Sequence, residues 1–148
     1  MTVGFNHLGQ LGQLGNQMFQ YAITKSVASK LNVPFKIPNH QNVFDDGIGN
    51  RYTILLFDIF KLESLTNFGF VDTQKYVQEG HFHYDEDIFN ISPQEDFSLW
   101  GFFQSEKYFK DIENEIRDDF KFKDELVSSC QSIIAVSYTH LTLPTRYR

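Results

Sequence analysis

Three glycines spaced three residues apart, Gly9, Gly12 and Gly15, constrain the fold of this chain more than any other feature. They join a short apolar segment, residues 2–5, to a long amphipathic run, residues 16–31. Glycine can adopt a positive φ or let another group come close to the backbone. We expect Gly15 to begin a helix, whose free N–H groups and positive dipole end would face the loop. A strand, a glycine-rich turn and a helix N-terminus predict a site for an anion or another polar ligand.

The glycine spacing by itself leaves two interpretations open. The pattern G-x-x-G-x-x-G differs from the dinucleotide-binding G-x-G-x-x-G, and no lysine follows Gly15 as a phosphate loop would require. The stretch could form a polar-ligand site, or it could be a tight turn whose glycines only allow close packing. In either case we expect valine at position 15 to destabilise the protein severely, because the backbone there would need glycine.

The N-terminal part of the chain predicts one β-α-β unit. Asn32 and Pro34 end the predicted helix, and residues 34–37 form a second short strand. This order favours a right-handed parallel crossover and the α/β fold class. The apolar residues that recur at helical spacing and should face the core are Phe19, Ile23, Val27 and Leu31. The residues that should face solvent are Lys25, Ser26, Ser29 and Lys30.

The middle of the chain predicts less regular structure. Residues 39–50 are rich in Asn, Asp and Gly and predict a loop. Residues 51–65 fit either a buried strand or a short helix, and residues 69–91 predict short strands and loops.

A strand is predicted at residues 97–103, followed by a helix that Ser105 caps. Residues 123–130 predict a further helical segment, and residues 132–136 begin a predicted buried strand. The side chains expected to form the buried stripe of the helix after Ser105 are Phe109, Ile112, Ile116 and Phe120.

Composition excludes some classes of function. The net charge of −6 argues against a general nucleic-acid binder, which would need a basic face. The single cysteine, Cys130, predicts no internal disulfide, a reducing compartment and a buried thiol. No apolar run is long enough to span a membrane, and the N-terminus predicts no secretory signal. Sixteen Phe and seven Tyr residues suggest an aromatic core, with an apolar face that could meet another domain.

Two polar clusters allow a catalytic or metal role as well as a structural one. His81 and His83 would share one side of a strand, a spacing that can bind zinc, but the only other soft ligand is the distant Cys130. We therefore expect no metal site. Residues 85–87 (Asp-Glu-Asp) could include a general base or form a solvated turn.

Residues 12–22 (GQLGNQMFQYA) resemble the N-terminal signature of the alpha-1,2-fucosyltransferases, family 11 of the glycosyltransferases. Residues 30–34 (KLNVP) continue the resemblance, and residues 100–109 (WGFFQSEKYF) resemble a second block of the family. One mild departure is Gln13, where glycine or arginine is more usual, and the matching is weak between residues 39 and 80.

The resemblance implies a fold and an activity. Residues 1–135 would form the Rossmann-like N-terminal lobe of a GT-B-type glycosyltransferase. The family transfers fucose from GDP-fucose to the 2-hydroxyl of a galactoside with inversion and is expected to need no metal. The expected partners are therefore GDP-fucose and a galactose-containing acceptor, without nucleic acid. The expected location is the bacterial cytoplasm, with peripheral association at the inner face of the membrane left open.

The family's donor-binding motif is missing from this sequence. The strand predicted near Ile133 should lead into His-x-Arg-Arg-x-Asp, whose arginine would hold the donor pyrophosphate. Residues 136–148 instead resemble the translation of a sequencing-library transposase adapter, which predicts a non-native tail rather than a genuine C-terminal strand. We therefore expect a chain that contains an incomplete N-terminal lobe, lacks the C-terminal lobe and is inactive alone.

The resemblance also implies which residues bind substrate, although it leaves the catalytic base unknown. The predicted substrate-binding residues are Gly12, Gly15, Asn16, Gln17, Gln104 and Ser105. The residues at positions 12–17 and those at 104–105 would each follow a strand, at the carboxyl edge of the sheet, where α/β folds place ligands. The alternatives are a structural glycine turn and a serine that only caps a helix. A non-catalytic glycan-binding module or an interaction domain also remains open.

Two further groups of aromatic and apolar side chains have structural interpretations. Trp100 and Phe102 could pack the sheet or stack on sugar rings. Met18, Phe19 and Tyr21 are predicted to belong to the core.

Overall fold

The computed structural model describes residues 1–39, 43–45, 47–49, 51–92 and 94–140. The described strands are β1 (Val3–Gly4), β2 (Phe35–Lys36), β3 (Val43–Asp45), β4 (Arg51–Thr53), β5 (Tyr76–Gln78) and β6 (Phe97–Trp100). The described α-helices are α1 (Leu14–Leu31), α2 (Leu56–Ile59), α3 (Glu113–Asp119) and α4 (Asp124–His140). Short 3₁₀ helices lie at Glu86–Phe89, Glu106–Tyr108 and Lys110–Ile112.

A four-stranded parallel sheet in the order β2-β1-β6-β5 organises the fold. Val3 of β1 aligns with Phe35 of β2 on one side and with Phe97 of β6 on the other. The α/β fold class and the parallel β-α-β unit are therefore confirmed. Strands β3 and β4 form a separate antiparallel hairpin in which Asp45 aligns with Arg51.

Helix α1 is buried on more of its surface than its sequence predicts. It contacts β1 and β2, but also α2 and the 3₁₀ helices at Glu86–Phe89 and Glu106–Tyr108. The expectation that Lys25 and Ser26 face solvent is therefore wrong. The Lys25 side chain is only 12% exposed and pairs with Asp119, and the Ser26 hydroxyl is buried and donates to the Tyr108 carbonyl at 2.6 Å. The main core side chains around this helix include Val3, Phe5, Tyr21, Ile23, Val27, Phe97 and Leu99.

In the middle of the chain, the structure contradicts one prediction and answers one open question. Val43–Asp45 forms β3 where a loop was expected, because these residues pair with β4. Residues 51–65, which fitted either a buried strand or a short helix, contain the short helix α2. His81 and His83 lie in a bend rather than on a strand.

The segment after β6 is broken where one helix was expected. Two 3₁₀ helices precede α3, and Ser105 caps the first of them by accepting a hydrogen bond from the Lys107 N–H at 3.3 Å. The cap is therefore confirmed. The predicted stripe also holds, because Ile112 and Ile116 are buried while Phe109 and Phe120 pack against the core.

Helix α4 overturns two predictions about the C-terminal part of the chain. Residues 132–136 continue this helix and do not begin a strand. A helix closes its hydrogen bonds locally, whereas a strand needs a neighbour to pair its backbone groups. Cys130 is exposed on α4, so the expectation of a buried thiol is wrong. The helix also crosses the predicted boundary at residue 135, and residues 141–148 of the predicted tail lie outside the described residues.

Within the part of the chain that the structure describes, no helix combines the length and the apolar character needed to cross a membrane.

Candidate functional site

The candidate site lies where two loops leave neighbouring parallel strands. We call residues 9–13, after β1, the glycine loop and residues 101–104, after β6, the second loop. Because β1 and β6 are parallel neighbours, both loops lie at the carboxyl edge of the sheet. This edge is where open α/β sheets bind ligands.

The glycine loop needs glycine at two of its three predicted positions. Gly9 has φ 96° and Gly12 has φ 109°, a region that side chains with a Cβ disfavour. A Cβ on Gly12 would also lie 2.1 Å from the Asn16 Nδ2. Gly15 instead lies within the first turn of α1, and a Cβ there would meet nothing within 4 Å. The reason for expecting severe destabilisation by valine at position 15 therefore does not hold.

Asn16 and Gln104, which were predicted from different parts of the sequence, are in direct contact. The Gln104 Nε2 donates a hydrogen bond to the Asn16 Oδ1 at 2.5 Å, across 88 positions of sequence. Gln104 is exposed and Asn16 is half-buried. Neither the Asn16 Nδ2 nor the Gln104 Oε1 bonds to another group in the described part of the chain. One donor and one acceptor therefore remain for a ligand.

The side-chain amide of Gln17 forms hydrogen bonds with the backbone at residues 53 and 55. Its Nε2 donates to the Thr53 carbonyl at 3.0 Å, and its Oε1 accepts from the Leu55 N–H at 2.7 Å. A weaker contact of 3.4 Å links the Nε2 to the Gly12 carbonyl. Gln17 therefore fixes the glycine loop relative to residues 53–55.

Gln20 joins the two loops, although the sequence did not single it out. Its Nε2 donates to the Leu11 carbonyl at 3.1 Å and to the Gly101 carbonyl at 3.2 Å. The side chain is fully buried, and its Oε1 has no hydrogen-bond partner in the described chain. A glutamine four residues after Asn16, among apolar neighbours, was the available signal.

A cleft of about 230 Å³ opens beside the glycine loop. Helix α1 begins here without a side-chain cap at Gln13 and without an acidic residue in its first turn. Arg51 lies on the opposite wall and adds positive charge. The cleft can therefore accept an anionic group or a sugar hydroxyl. Its lining residues are Gly9, Gly12, Gln13, Gln17, Arg51, Tyr52, Thr53 and Leu55.

The remaining predicted residues take structural positions. Ser105 is half-buried, and its side-chain oxygen accepts a hydrogen bond at the 3₁₀ helix cap. Tyr21 is fully buried, while Met18 and Phe19 are partly buried at the core edge. The Trp100 ring lies edge-on to the ring of His7, with 4.5 Å between their centroids.

His81 and His83 do come together, although not on a strand. Their rings stack with centroids 3.5 Å apart, and the His81 Nε2 lies 3.6 Å from Asp85. Among the residues that the structure describes, no three His, Cys, Asp or Glu side chains are grouped to hold a metal ion.

Comparisons with protein-family models, with curated proteins and with solved structures find no match to this chain.

Proposed function

We propose that this chain is the N-terminal, Rossmann-like lobe of an alpha-1,2-fucosyltransferase of the GT-B type. In this proposal the glycine loop and the second loop form the lobe's side of the substrate cleft. The contact between Asn16 and Gln104 supports it most directly, because two family-like blocks far apart in sequence converge there. The four-stranded parallel sheet supports the fold assignment.

The proposed reaction sets clear demands on the site. A base removes the proton of the galactose 2-hydroxyl, whose oxygen then attacks the fucose carbon that leaves GDP. Negative charge grows on the departing diphosphate and needs positive partners. In the proposal, the Asn16 Nδ2 and the Gln104 Oε1 orient acceptor hydroxyls, and Gly12 and Gly15 leave room beside them. The donor diphosphate would be held mainly by the His-x-Arg-Arg-x-Asp arginine of a second lobe.

Gln17 and Ser105 have supporting roles in this proposal. The Gln17 amide is already bonded to the backbone of Thr53 and Leu55, so it fixes the first turn of α1, which carries Asn16, against residues 53–55. Ser105 caps the turn that follows Gln104. The described residues that line the cleft include no carboxylate and no histidine, so we assign no catalytic base.

Titration calorimetry of this chain with methyl β-galactoside tests the proposal. We expect weak, saturable binding that Asn16→Ala and Gln104→Ala each reduce about tenfold, since each removes a hydrogen bond to the ligand and loosens the other amide. Gln131→Ala, on the exposed surface of α4, is the matched control and should bind like the wild type. Absence of saturable binding, or equal binding by all variants, would contradict the proposal.

A further inference from the structure

We propose that Glu79 is a positioning residue of the candidate site. Its carboxylate holds the second loop in the conformation that places Gln104 against Asn16. The ligand-binding part of this inference rests on the proposed function, whereas its structural part does not.

Glu79 directly follows β5 and continues its pairing with β6, because its N–H donates to the Trp100 carbonyl at 2.9 Å. Its two carboxylate oxygens reach the second loop, which follows β6. Oε1 accepts from the Phe102 N–H at 3.2 Å, and Oε2 accepts from the Phe103 N–H at 2.8 Å. Hydrogen bonds to an ionised carboxylate are stronger than neutral ones, so one side chain fixes two successive peptide groups.

The second loop has a backbone that its own sequence does not favour. Phe103 has φ 51°, in the left-handed region that a residue with a Cβ disfavours. Gly101 has φ 146°, and a Cβ built there would lie 2.5 Å from the Glu79 Cβ. The loop therefore needs outside contacts to stay in this conformation. The Glu79 carboxylate supplies two of them, and the burial of the Phe103 ring supplies another.

Gln104 is the next residue along the chain, so the direction of its side chain depends on the backbone at Phe103. Gln20 holds the start of the same loop through the Gly101 carbonyl. With both ends fixed, the Gln104 amide reaches the Asn16 Oδ1 at 2.5 Å. Releasing Glu79 would free the end that carries Gln104, and the amide contact would open.

The geometry favours positioning over a catalytic role for Glu79. Both carboxylate oxygens already accept backbone hydrogen bonds. The side chain also lines a different depression, together with Val77, Gly80 and Ile88, and not the cleft beside the glycine loop. Glu79 therefore acts on a ligand only through the second loop.

Amide NMR spectra of Glu79→Gln and Glu79→Ala test this inference. We expect the side-chain amide signals of Asn16 and Gln104 to shift in both variants, and to shift less with glutamine, which keeps one acceptor oxygen. The Gln17 side-chain signals are an internal control, because that amide bonds to residues 53–55 instead. Glu95→Gln is the control variant, since Glu95 is exposed and pairs with Lys75 at 3.5 Å.

Galactoside titration of the same variants separates this inference from the proposed function. We expect Glu79→Gln to weaken binding roughly fivefold, which corresponds to about one hydrogen bond. Unmoved Asn16 and Gln104 signals in folded Glu79→Gln would overturn the positioning role, whatever the affinity does. If the signals move but the wild type binds no galactoside, the positioning role stands and the proposed function fails. If Glu79→Ala does not fold, the nearly isosteric Glu79→Gln decides the question.

Discussion

Helix α1 carries two polar networks, and they differ in how completely their hydrogen bonds are satisfied. The first, which we call the loop network, consists of Asn16, Gln17, Gln20 and Gln104. The second, which we call the charged network, consists of Tyr21, Lys25, Ser64 and Asp119. The first is neutral, and its member Gln17 lines the cleft beside the glycine loop, whereas the second contains the ion pair of Lys25 and Asp119.

In the charged network, each carboxylate oxygen of Asp119 accepts two hydrogen bonds. Asp119 is 1% exposed, and its Oδ2 accepts from the Tyr21 hydroxyl at 2.7 Å and from the Lys25 Nζ at 2.5 Å. Its Oδ1 accepts from the Ser64 hydroxyl at 2.6 Å and from the Ser64 N–H at 3.3 Å. Burial raises the pKa of the Asp119 carboxyl, but hydrogen bonds from Lys25, Ser64 and Tyr21 outweigh burial and hold it below its ordinary value.

The loop network instead keeps free donors and acceptors. The Asn16 Nδ2 and the Gln104 Oε1 have no partner in the described chain, and the buried Gln20 Oε1 is also unpaired there. Buried polar groups are normally satisfied, so the unpaired Gln20 Oε1 is an exception among the described residues, whereas Asn16 is half-buried and Gln104 is exposed. The comparison teaches that one helix can anchor two polar networks of different kinds, a neutral amide network with unpaired atoms and an ion pair whose carboxylate is fully bonded.

The largest effect should come from Asp119→Ala. This change leaves the Lys25 ammonium, whose side chain is 12% exposed, without its anion, and leaves the Tyr21 hydroxyl without its acceptor. We expect the free energy of unfolding to fall by about 3–5 kcal/mol in urea denaturation, as for a broken buried pair.

Asp118→Ala is the matched control for that experiment, because Asp118 is exposed and pairs with Lys121 at 3.2 Å. A change of about 0.5 kcal/mol or less is expected from an exposed pair. Equal losses in the two variants would show that the charged network is not the stabilising region.

The charged network should also make stability fall in acid. Because the pKa of Asp119 is lowered in the folded protein, its contribution is fully present above the unfolded pKa of about 3.9. It is lost as the pH falls through the lower folded value. We expect the difference in unfolding free energy between the wild type and Asp119→Asn to shrink below about pH 4. A difference that stays constant from pH 7 to pH 2 would contradict the assigned direction.

A smaller effect should distinguish Gly12 and Gly15, which lie beside the loop network. Gly12→Ala forces a Cβ onto a backbone with φ 109° and against Asn16, so we expect a loss of about 1–3 kcal/mol. Gly15→Ala places a Cβ in open space within a helix and should stabilise by up to about 1 kcal/mol. Thermal denaturation of the two variants compares them directly. A destabilised Gly15→Ala would restore the expectation that this position needs glycine.

Local patterns in the sequence were sufficient to predict the framework of the fold. The first β-α-β unit, the strand after Asp96, the Ser105 cap and the buried Ile112 and Ile116 all follow from spacing and capping within a few residues. Features outside these patterns were missed. β3 exists because β4 pairs with it, Ser26 is buried because Tyr108 covers it, and residues 132–136 continue a helix.

The candidate site was predicted in its parts but not in its assembly. Asn16 and Gln104 were both named, yet their contact depends on β1 and β6 being parallel neighbours. The roles of Gln20 and Glu79 were not predicted, although Gln20 lies within the block 12–22, because both come from hydrogen bonds to backbone groups of other loops. Gln17 was predicted to contact a ligand because of its residue type. Residue spacing cannot show that it is buried or that it bonds to two backbone groups.

The smallest effect on stability should come from separating Asn16 and Gln104. Their hydrogen bond lies at the surface, so a double-mutant cycle with alanine should give a coupling energy of about 0.5 kcal/mol in the free energy of unfolding. The equivalent cycle for Lys25 and Asp119 should exceed that value severalfold, because both partners are largely buried. The same alanine variants of Asn16 and Gln104 should reduce galactoside binding despite their small effect on folding. A coupling energy for Asn16 and Gln104 as large as that for Lys25 and Asp119 would mean that both networks serve stability, and the loop network would lose its distinction as a binding site.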